Sequence, residues 1–390
     1  MKNSKLILPV IVISQFCCTS LWFAGNGVIN DLVLNFDLNE NALGHLTSAV
    51  QFGFIIGTLS FAILTISDRF SPSKVFLISA ILGALFNLGI LWESNSLITL
   101  LSLRFFTGFF LAGIYPVGMK IATDYFKNGL GKSLGFLVGA LVIGTAFPHL
   151  LNGITEFYSW KYVLITTSLL AIFGGFLMFM LVPNGPFRKP SQQTDFSAFF
   201  TVFENKKFRS VAFGYFGHAW ELYAFWTFVP IILDKYKVQH QIAQLNTSML
   251  SFLIIGIGGF ACVLSGFLSQ KFGVKKVAFI SLLLSCICCL ISPFVFNSGF
   301  EFLFIAFLFF WGMVVIADSP LLSTLVAQNA PAEKKGTALT IANCIGFFIT
   351  IISIQILTQL IDITNSNNIY MILAIGPVLG LIALRKRNFP

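Results

Sequence analysis

Six ionisable side chains interrupt the long apolar runs of this chain: Arg104, Lys120, His149, His218, Glu221 and Asp318. Inside a bilayer each costs at least about 2.5–3.5 kcal/mol on insertion scales, so each must line a cavity or find a partner. His218 and Glu221 stand three apart in Gly214-Tyr215-Phe216-Gly217-His218-Ala219-Trp220-Glu221, on one helical face and within reach of each other. Burial favours the protonated carboxyl, and a neighbouring imidazole can trade that proton. The pair therefore reads either as a proton carrier, with Glu221 the carrier and His218 its partner, or as a hydrogen-bonded brace within the helix. Asp318, in Ala317-Asp318-Ser319-Pro320, could pair with Arg104 or Lys120, contact a solute or carry the proton itself, and Pro320 is expected to kink its helix. Arg104 and Tyr115 are eleven apart, nearly three turns, so both can face one cavity. Lys120 points about 160° away from Arg104 on an ideal helix and can snorkel from the end of its run. His149, beside Pro148, reads as a satisfied structural histidine.

Aromatic and amide groups add to this set. Trp22, Asn26 and Asn30 recur every fourth residue as a polar-aromatic stripe, and Trp220, Tyr223 and Trp226 share the run of Glu221. Such rings stack on a solute or form an interfacial belt. Trp22, Asn26, Arg104, Tyr115, Tyr223 and Trp226 are the candidate solute-binding residues. No metal site is expected, because Cys286-Ile287-Cys288-Cys289 lacks ligand spacing and no Cys pair comes with a matching His. Nucleotide loops and HExxH are absent, so neither ATP-driven pumping nor enzyme chemistry is expected, and no cofactor.

The elements that must position these groups are set by composition. Of 390 residues 56% are hydrophobic and 10% are charged, against roughly 25% charged in a soluble domain. Apolar runs of span length, about 20 residues, recur along the whole chain. Twelve spans are expected, among them 6–30, 97–121, 210–233 and 302–326 as first, fourth, seventh and tenth. The first is read as an uncleaved helix, because it exceeds a signal h-region and no small-x-small site follows it. The polar stretch Pro183 to Arg209 separates two halves, so the expected domains are 1–182, a linker 183–209 and 210–390.

Charge placement orients the spans. With the N-terminus inside, 19 of the 24 Lys and Arg fall in cytoplasmic segments, three in external loops and two, Arg104 and Lys120, within a span. This is the positive-inside pattern and puts both termini in the cytoplasm. The basic surplus thus reports topology and lipid contact, not a nucleic-acid partner. The halves also echo each other: Ser67-Asp68-Arg69-Phe70-Ser71-Pro72-Ser73-Lys74 follows span two, and Ser269-Gln270-Lys271-Phe272-Gly273-Val274-Lys275-Lys276 follows span eight, as a duplicated six-helix unit requires.

These turns resemble the loop motif of the major facilitator superfamily, G-x-x-x-D-[R/K]-x-G-x-[R/K]-[R/K]. Gly266 to Lys276 matches it with Gln270 in place of the acid, whereas the first copy keeps Asp68, Arg69 and Lys74 but has Leu64 and Ser71 where glycines are usual. Arg104-x-x-x-Gly108 with Gly113 and Pro116 resembles the family's second motif, and Trp160-Lys161 its usual Trp-Arg. The resemblance covers essentially the whole chain. It implies an all-α membrane fold of two pseudo-symmetric six-helix bundles, with helices one, four, seven and ten lining a central cavity. Five of the six intramembrane ions fall on helices four, seven and ten. It further implies a conformational latch of Asp68, Arg69, Lys74, Gln270, Lys271, Lys275 and Lys276, with Asp68 near a helix start in the other half, where the dipole favours a carboxylate.

The expected protein is a secondary carrier of the bacterial cytoplasmic membrane, monomeric as is usual in the family. It would move a small polar or anionic metabolite by alternating access, coupled to the proton gradient, with Arg104 attracting the anion. A multidrug effluxer is the second reading, although Gly135, Gly139 and Gly144 of span five come without the proline usual in drug–proton antiporters. A non-transporting receptor is third. Spans two and eight carry no arginine, which disfavours nitrate.

Overall fold

The computed structural model describes residues 4–39, 41–126, 130–154, 159–188, 202–242, 244–330, 335–364 and 366–385. The middle of the expected linker, 189–201, and the basic residues Lys2, Lys127, Lys334, Lys386 and Arg387 lie outside that set. Helix is the only regular structure among the described residues. A lipid-exposed backbone demands this, since it must satisfy its own N–H and C=O groups. The chain divides into two compact units, Met1–Gln193 and Thr194–Pro390.

The first unit comprises α1 (Ser4–Thr19), a short 3-10 turn (Asn26–Val28), α2 (Ile29–Asn35), α3 (Ala42–Ile63) and α4 (Ile66–Arg69). It continues with α5 (Pro72–Gly89), α6 (Leu97–Leu111), α7 (Tyr115–Tyr125), α8 (Leu130–Ile154) and α9 (Lys161–Leu181). The second holds α10 (Lys206–Gln239), α11 (Thr247–Phe272), α12 (Val274–Phe296) and α13 (Glu301–Ala317). It ends with α14 (Ser319–Asn329), α15 (Lys335–Ile363), a 3-10 segment (Asn367–Ala374) and α16 (Ile375–Arg385).

Among the described residues ten stretches are long and apolar enough to cross a membrane, and Leu6–Thr19 is a shorter apolar helix. The expected seventh span lies inside the 34-residue α10, whose polar content keeps it out of the ten. The expected first span does not run as one helix. It stops at Thr19, passes through turns and the 3-10 segment, and resumes as α2. Asn30 is exposed while Trp22 and Asn26 are buried, so the four-residue stripe ends at Asn26.

The fourth and tenth spans are broken too. Ala112 to Ile114 separate α6 from α7, with Pro116 in the first turn of α7. Arg104 and Tyr115 therefore sit on different helices, and the ideal-helix register behind their eleven-residue spacing is interrupted. Asp318 separates α13 from α14, with Pro320 in the first turn of α14, where its missing N–H costs nothing.

Close helix contact rests on small residues, since lipid supplies no hydrophobic drive between helices. A Cβ at Gly53 would run into the backbone of Phe105, and one at Gly108 into that of Val50, so α3 and α6 touch main chain to main chain. In the second unit Gly217 of α10 and Gly376 of α16 meet in the same way. Large apolar side chains cover the outside, Phe302 (87% exposed) and Phe294 (75%) among them, as a lipid-facing surface requires.

The two copies of the repeated turn differ. The first contains α4, entered through Thr65 in the left-handed region (φ 48°), and is tied down by side chains. Asp68 pairs with Lys120 of α7, and Arg188 Nη2 donates to the carbonyls of Asp68 and Phe70, both at 2.8 Å. Ser73 Oγ donates to the Val182 carbonyl at 2.5 Å. The second copy turns on Gly273 alone (φ 88°), which joins α11 directly to α12. Arg69, Lys74, Gln270, Lys271 and Lys276 are exposed, and Lys275 is half-buried.

Candidate functional site

The polar interior of the first unit is built around the break in α1. The turns that follow Thr19 leave main-chain carbonyls outside any regular ladder, and these need donors when buried. Arg104 supplies two of them from α6: Nη1 donates to the Leu21 carbonyl at 3.1 Å and to Asn87 Oδ1 at 3.4 Å, and Nη2 donates to the Trp22 carbonyl. The guanidinium is 1% exposed, and among the described residues no carboxylate lies within ion-pair distance of it. Asn87 in turn donates to the Leu164 carbonyl (3.2 Å), Thr167 Oγ1 (3.3 Å) and Ser168 Oγ (2.9 Å) of α9. Arg104 is thus held by main chain and amide, not by a counter-ion.

Beside this cap, Asn26 Nδ2 donates to Thr47 Oγ1 of α3 at 2.7 Å, and the Trp22 ring lies 4.9 Å from that of Phe54. Tyr115 is half-buried at the start of α7. Lys120 does not join Arg104; its partner is Asp68 of the turn. His149 is buried against Phe23 at 6.5 Å between ring centroids, but its Nε2 has no partner among the described residues, so the reading of a fully satisfied histidine fails at that atom.

The second unit gathers carboxylates instead. Glu221, 1% exposed on α10, collects three donors on one oxygen: Ser285 Oγ at 2.5 Å, Trp311 Nε1 at 2.7 Å and Cys289 Sγ at 3.2 Å all reach Oε1. None of these donors carries a charge. His218 is one turn away, yet it faces Asp318 rather than Glu221, with Nδ1 2.8 Å from Asp318 Oδ1. The contact is one of distance more than alignment, because neither Asp318 oxygen has a well-directed donor among the described residues. Asp318 occupies the break between α13 and α14, which brings it to the level of His218. Three-residue spacing therefore puts His218 and Glu221 on one helix but gives His218 the wrong partner.

Tyr223 and Trp226 lie further along α10. Both are buried, their rings 5.3 Å apart, with Tyr223 also 5.3 Å from Phe347 of α15. Tyr215 Oη donates to Asn343 Oδ1 at 3.0 Å, and its ring lies 6.2 Å from the His218 ring. Ser285, Cys289, Trp311 and Asn87 are the site residues that sequence reasoning missed. Each is an uncharged group in an apolar run, and only a three-dimensional partner marks it out. No group of three His, Cys, Asp or Glu able to hold a metal occurs among the described residues.

A family model described as Major Facilitator Superfamily matches residues 11–354. Two solved structures share the fold. One is the proton:xylose symporter XylE bound to 6-bromo-6-deoxy-D-glucose, at TM-score 0.74 and 14% identity, covering 96% of this chain and 94% of that one. The other is a mutant of the nucleoside transporter NupG, at TM-score 0.73 and 15% identity, covering 98% and 99%. Among curated proteins none matches by sequence. The chain belongs to the major facilitator superfamily and is a multi-pass membrane transporter, not an enzyme.

Proposed function

We propose, taking membership of this superfamily as the premise, that the protein is a proton-coupled secondary carrier of a small polar metabolite. It works as a monomer by alternating access in the bacterial cytoplasmic membrane, without a cofactor. The observation that carries this reading is Glu221, a buried carboxyl group whose three donors all fall on Oε1. Among the described residues no cation pairs with a carboxylate so placed, and burying an uncompensated charge costs several kcal/mol. The group is therefore neutral while sealed from water and gives up its proton when water reaches it. That difference between two exposures is what couples a proton to a carrier cycle. His218 and Asp318 form an adjacent acceptor pair in the same unit.

The two structural neighbours are named for xylose and nucleoside transport, which supports trying uncharged polar solutes first. Proteoliposomes loaded with a pH-sensitive dye and offered D-xylose or uridine should take up protons together with solute. Glu221→Gln should abolish accumulation against a gradient while solute exchange at equilibrium continues. Accumulation undiminished in Glu221→Gln would overturn the assignment.

A further inference from the structure

We infer that the second unit holds a site for one small monovalent anion of the halide class, at the end of the unit opposite the Gly273 turn. There the end of α10, the end of α12 and the 3-10 segment Asn367–Ala374 enclose a cavity of about 10 Å³. About 10–15 Å³ on this measure admits one water, so the guest is a single atom or little more. Lys235, Tyr236 and Gln239 of α10 line it together with Asn367 and Tyr370 of the 3-10 segment, and Phe296 closes it from α12. Tyr236 is 2% exposed and Tyr370 1%, and neither phenol oxygen has a hydrogen-bond partner among the described residues. Folded proteins leave few buried hydroxyls in that state, because their desolvation is then uncompensated. Two of them on the wall of one cavity call for a guest that accepts from both.

The two phenols are held in place by their rings. Tyr236 stacks on Phe304, with centroids 3.7 Å apart and planes at 6°, and its ring lies 4.3 Å from that of His240. Phe304 meets Phe296 edge to face at 5.5 Å, and Phe296 meets Tyr370 edge to face at 5.6 Å. One chain of aromatic contacts thus runs from the first phenol to the second. Beside it, Asn367 Nδ2 donates to Asn297 Oδ1 at 2.8 Å and to Gln239 Oε1 at 3.3 Å, which ties the 3-10 segment to the ends of α12 and α10. Neither ring can swing its hydroxyl elsewhere without breaking these contacts.

The donors choose the guest. Two phenol O–H groups share the lining with the ammonium group of Lys235, and among the described residues no acid lines the cavity. Asp234 accepts from Thr247 Oγ1 at 2.6 Å, and Glu301, whose charge reaches Tyr236, is exposed at the start of α13 outside the lining. A cation would meet Lys235 at close range, and a carboxylate or phosphate is too large for the space. A halide only accepts, and so matches two hydroxyls and an ammonium, whereas a water must also place two hydrogens of its own. Gln239 is exposed and Lys235 half-buried, which gives an ion from solution its way in. The positive-inside reading puts this end of the unit outside the cell.

The test is thermal unfolding of the purified full-length protein in detergent, as sodium gluconate is replaced by sodium chloride at constant ionic strength. The melting temperature should rise along a saturating curve, and choline chloride or sodium bromide should act alike. Tyr236→Phe and Tyr370→Phe should each raise the half-saturating chloride concentration about tenfold. In gluconate both variants should melt no lower than the unsubstituted protein, because a buried hydroxyl without a partner has been removed; this separates lost binding from lost folding. A chloride response that is absent, that follows the cation, or that survives unweakened in either phenylalanine variant would overturn the inference. A single ordered water in the cavity would give the first of these results. Where a variant unfolds too readily to titrate, bromide soaked into crystals of the unsubstituted protein decides: an anomalous peak between Tyr236 and Tyr370 supports the site, and its absence removes it.

Discussion

The two units solve the problem of polar groups in an apolar interior in opposite ways. In the first, the deeply buried Arg104 guanidinium is spent on main-chain carbonyls, and the uncharged amides of Gln15 and Gln51 are left without partners among the described residues. In the second, the buried groups are two carboxyls and an imidazole, held by a hydroxyl, an indole, a thiol and one another. An arginine never gives up its proton in a protein, so that guanidinium keeps a constant charge. The second interior is built of carboxyl and imidazole groups, the kinds that exchange a proton. The two units thus bury different kinds of polar group.

Removing Arg104 should break the comparison most severely. Arg104→Met leaves the Trp22 carbonyl and Asn87 Oδ1 without this donor and the Leu21 carbonyl with only a long bond from the Ala24 N–H, and each buried acceptor left unsatisfied costs about 1–3 kcal/mol. Thermal unfolding in detergent should show this as a large loss, and an unchanged melting temperature would refute the capping role. Glu221→Gln comes next: accumulation should fall to background while folding is little affected, because the amide oxygen still accepts from Ser285 and Trp311.

A double-mutant cycle sharpens the contrast. His218→Gln and Asp318→Asn should be non-additive by about 0.5–3 kcal/mol in transport rate, as for residues in contact. His218→Gln combined with Gln51→Leu should be additive, and coupling of equal size in both cycles would show that the two interiors do not act separately. The smallest effect is at the turn. Lys120→Met breaks a partly exposed pair with Asp68 and should cost about 1 kcal/mol or less in stability, read from the same thermal unfolding.

Much of this fold is legible in the sequence. The scarcity of charge, the placement of Lys and Arg and the echo of Ser67–Lys74 in Ser269–Lys276 are strong signals because the bilayer imposes them directly. The candidate ions are legible for the same reason. The break in the tenth span is signalled by Pro320, but the break at the end of α1 and the partners that the breaks create are not. No proline marks the end of α1 at Thr19, and Pro116 is no guide to how far α6 and α7 diverge. Periodicity then counts through a register that the break interrupts, as it does between Arg104 and Tyr115. His218 shows the same limit: spacing names neighbours along one helix, whereas its partner Asp318 meets it only because α13 stops there. Gln15 and Gln51 give no signal at all, because an amide in an apolar run becomes conspicuous only once its lack of a partner is seen.

The cap at the break of α1 has one more consequence. Two carbonyl oxygens and an amide oxygen converging inside an apolar shell form a nest for a monovalent cation, and the chain fills that nest with an ion of its own, tethered through the side chain of Arg104. Cut the tether and the nest should take what the solution offers. Millimolar guanidinium or methylguanidinium should restore part of the thermal stability lost in Arg104→Ala and do nothing for the unsubstituted protein, whose ion never leaves.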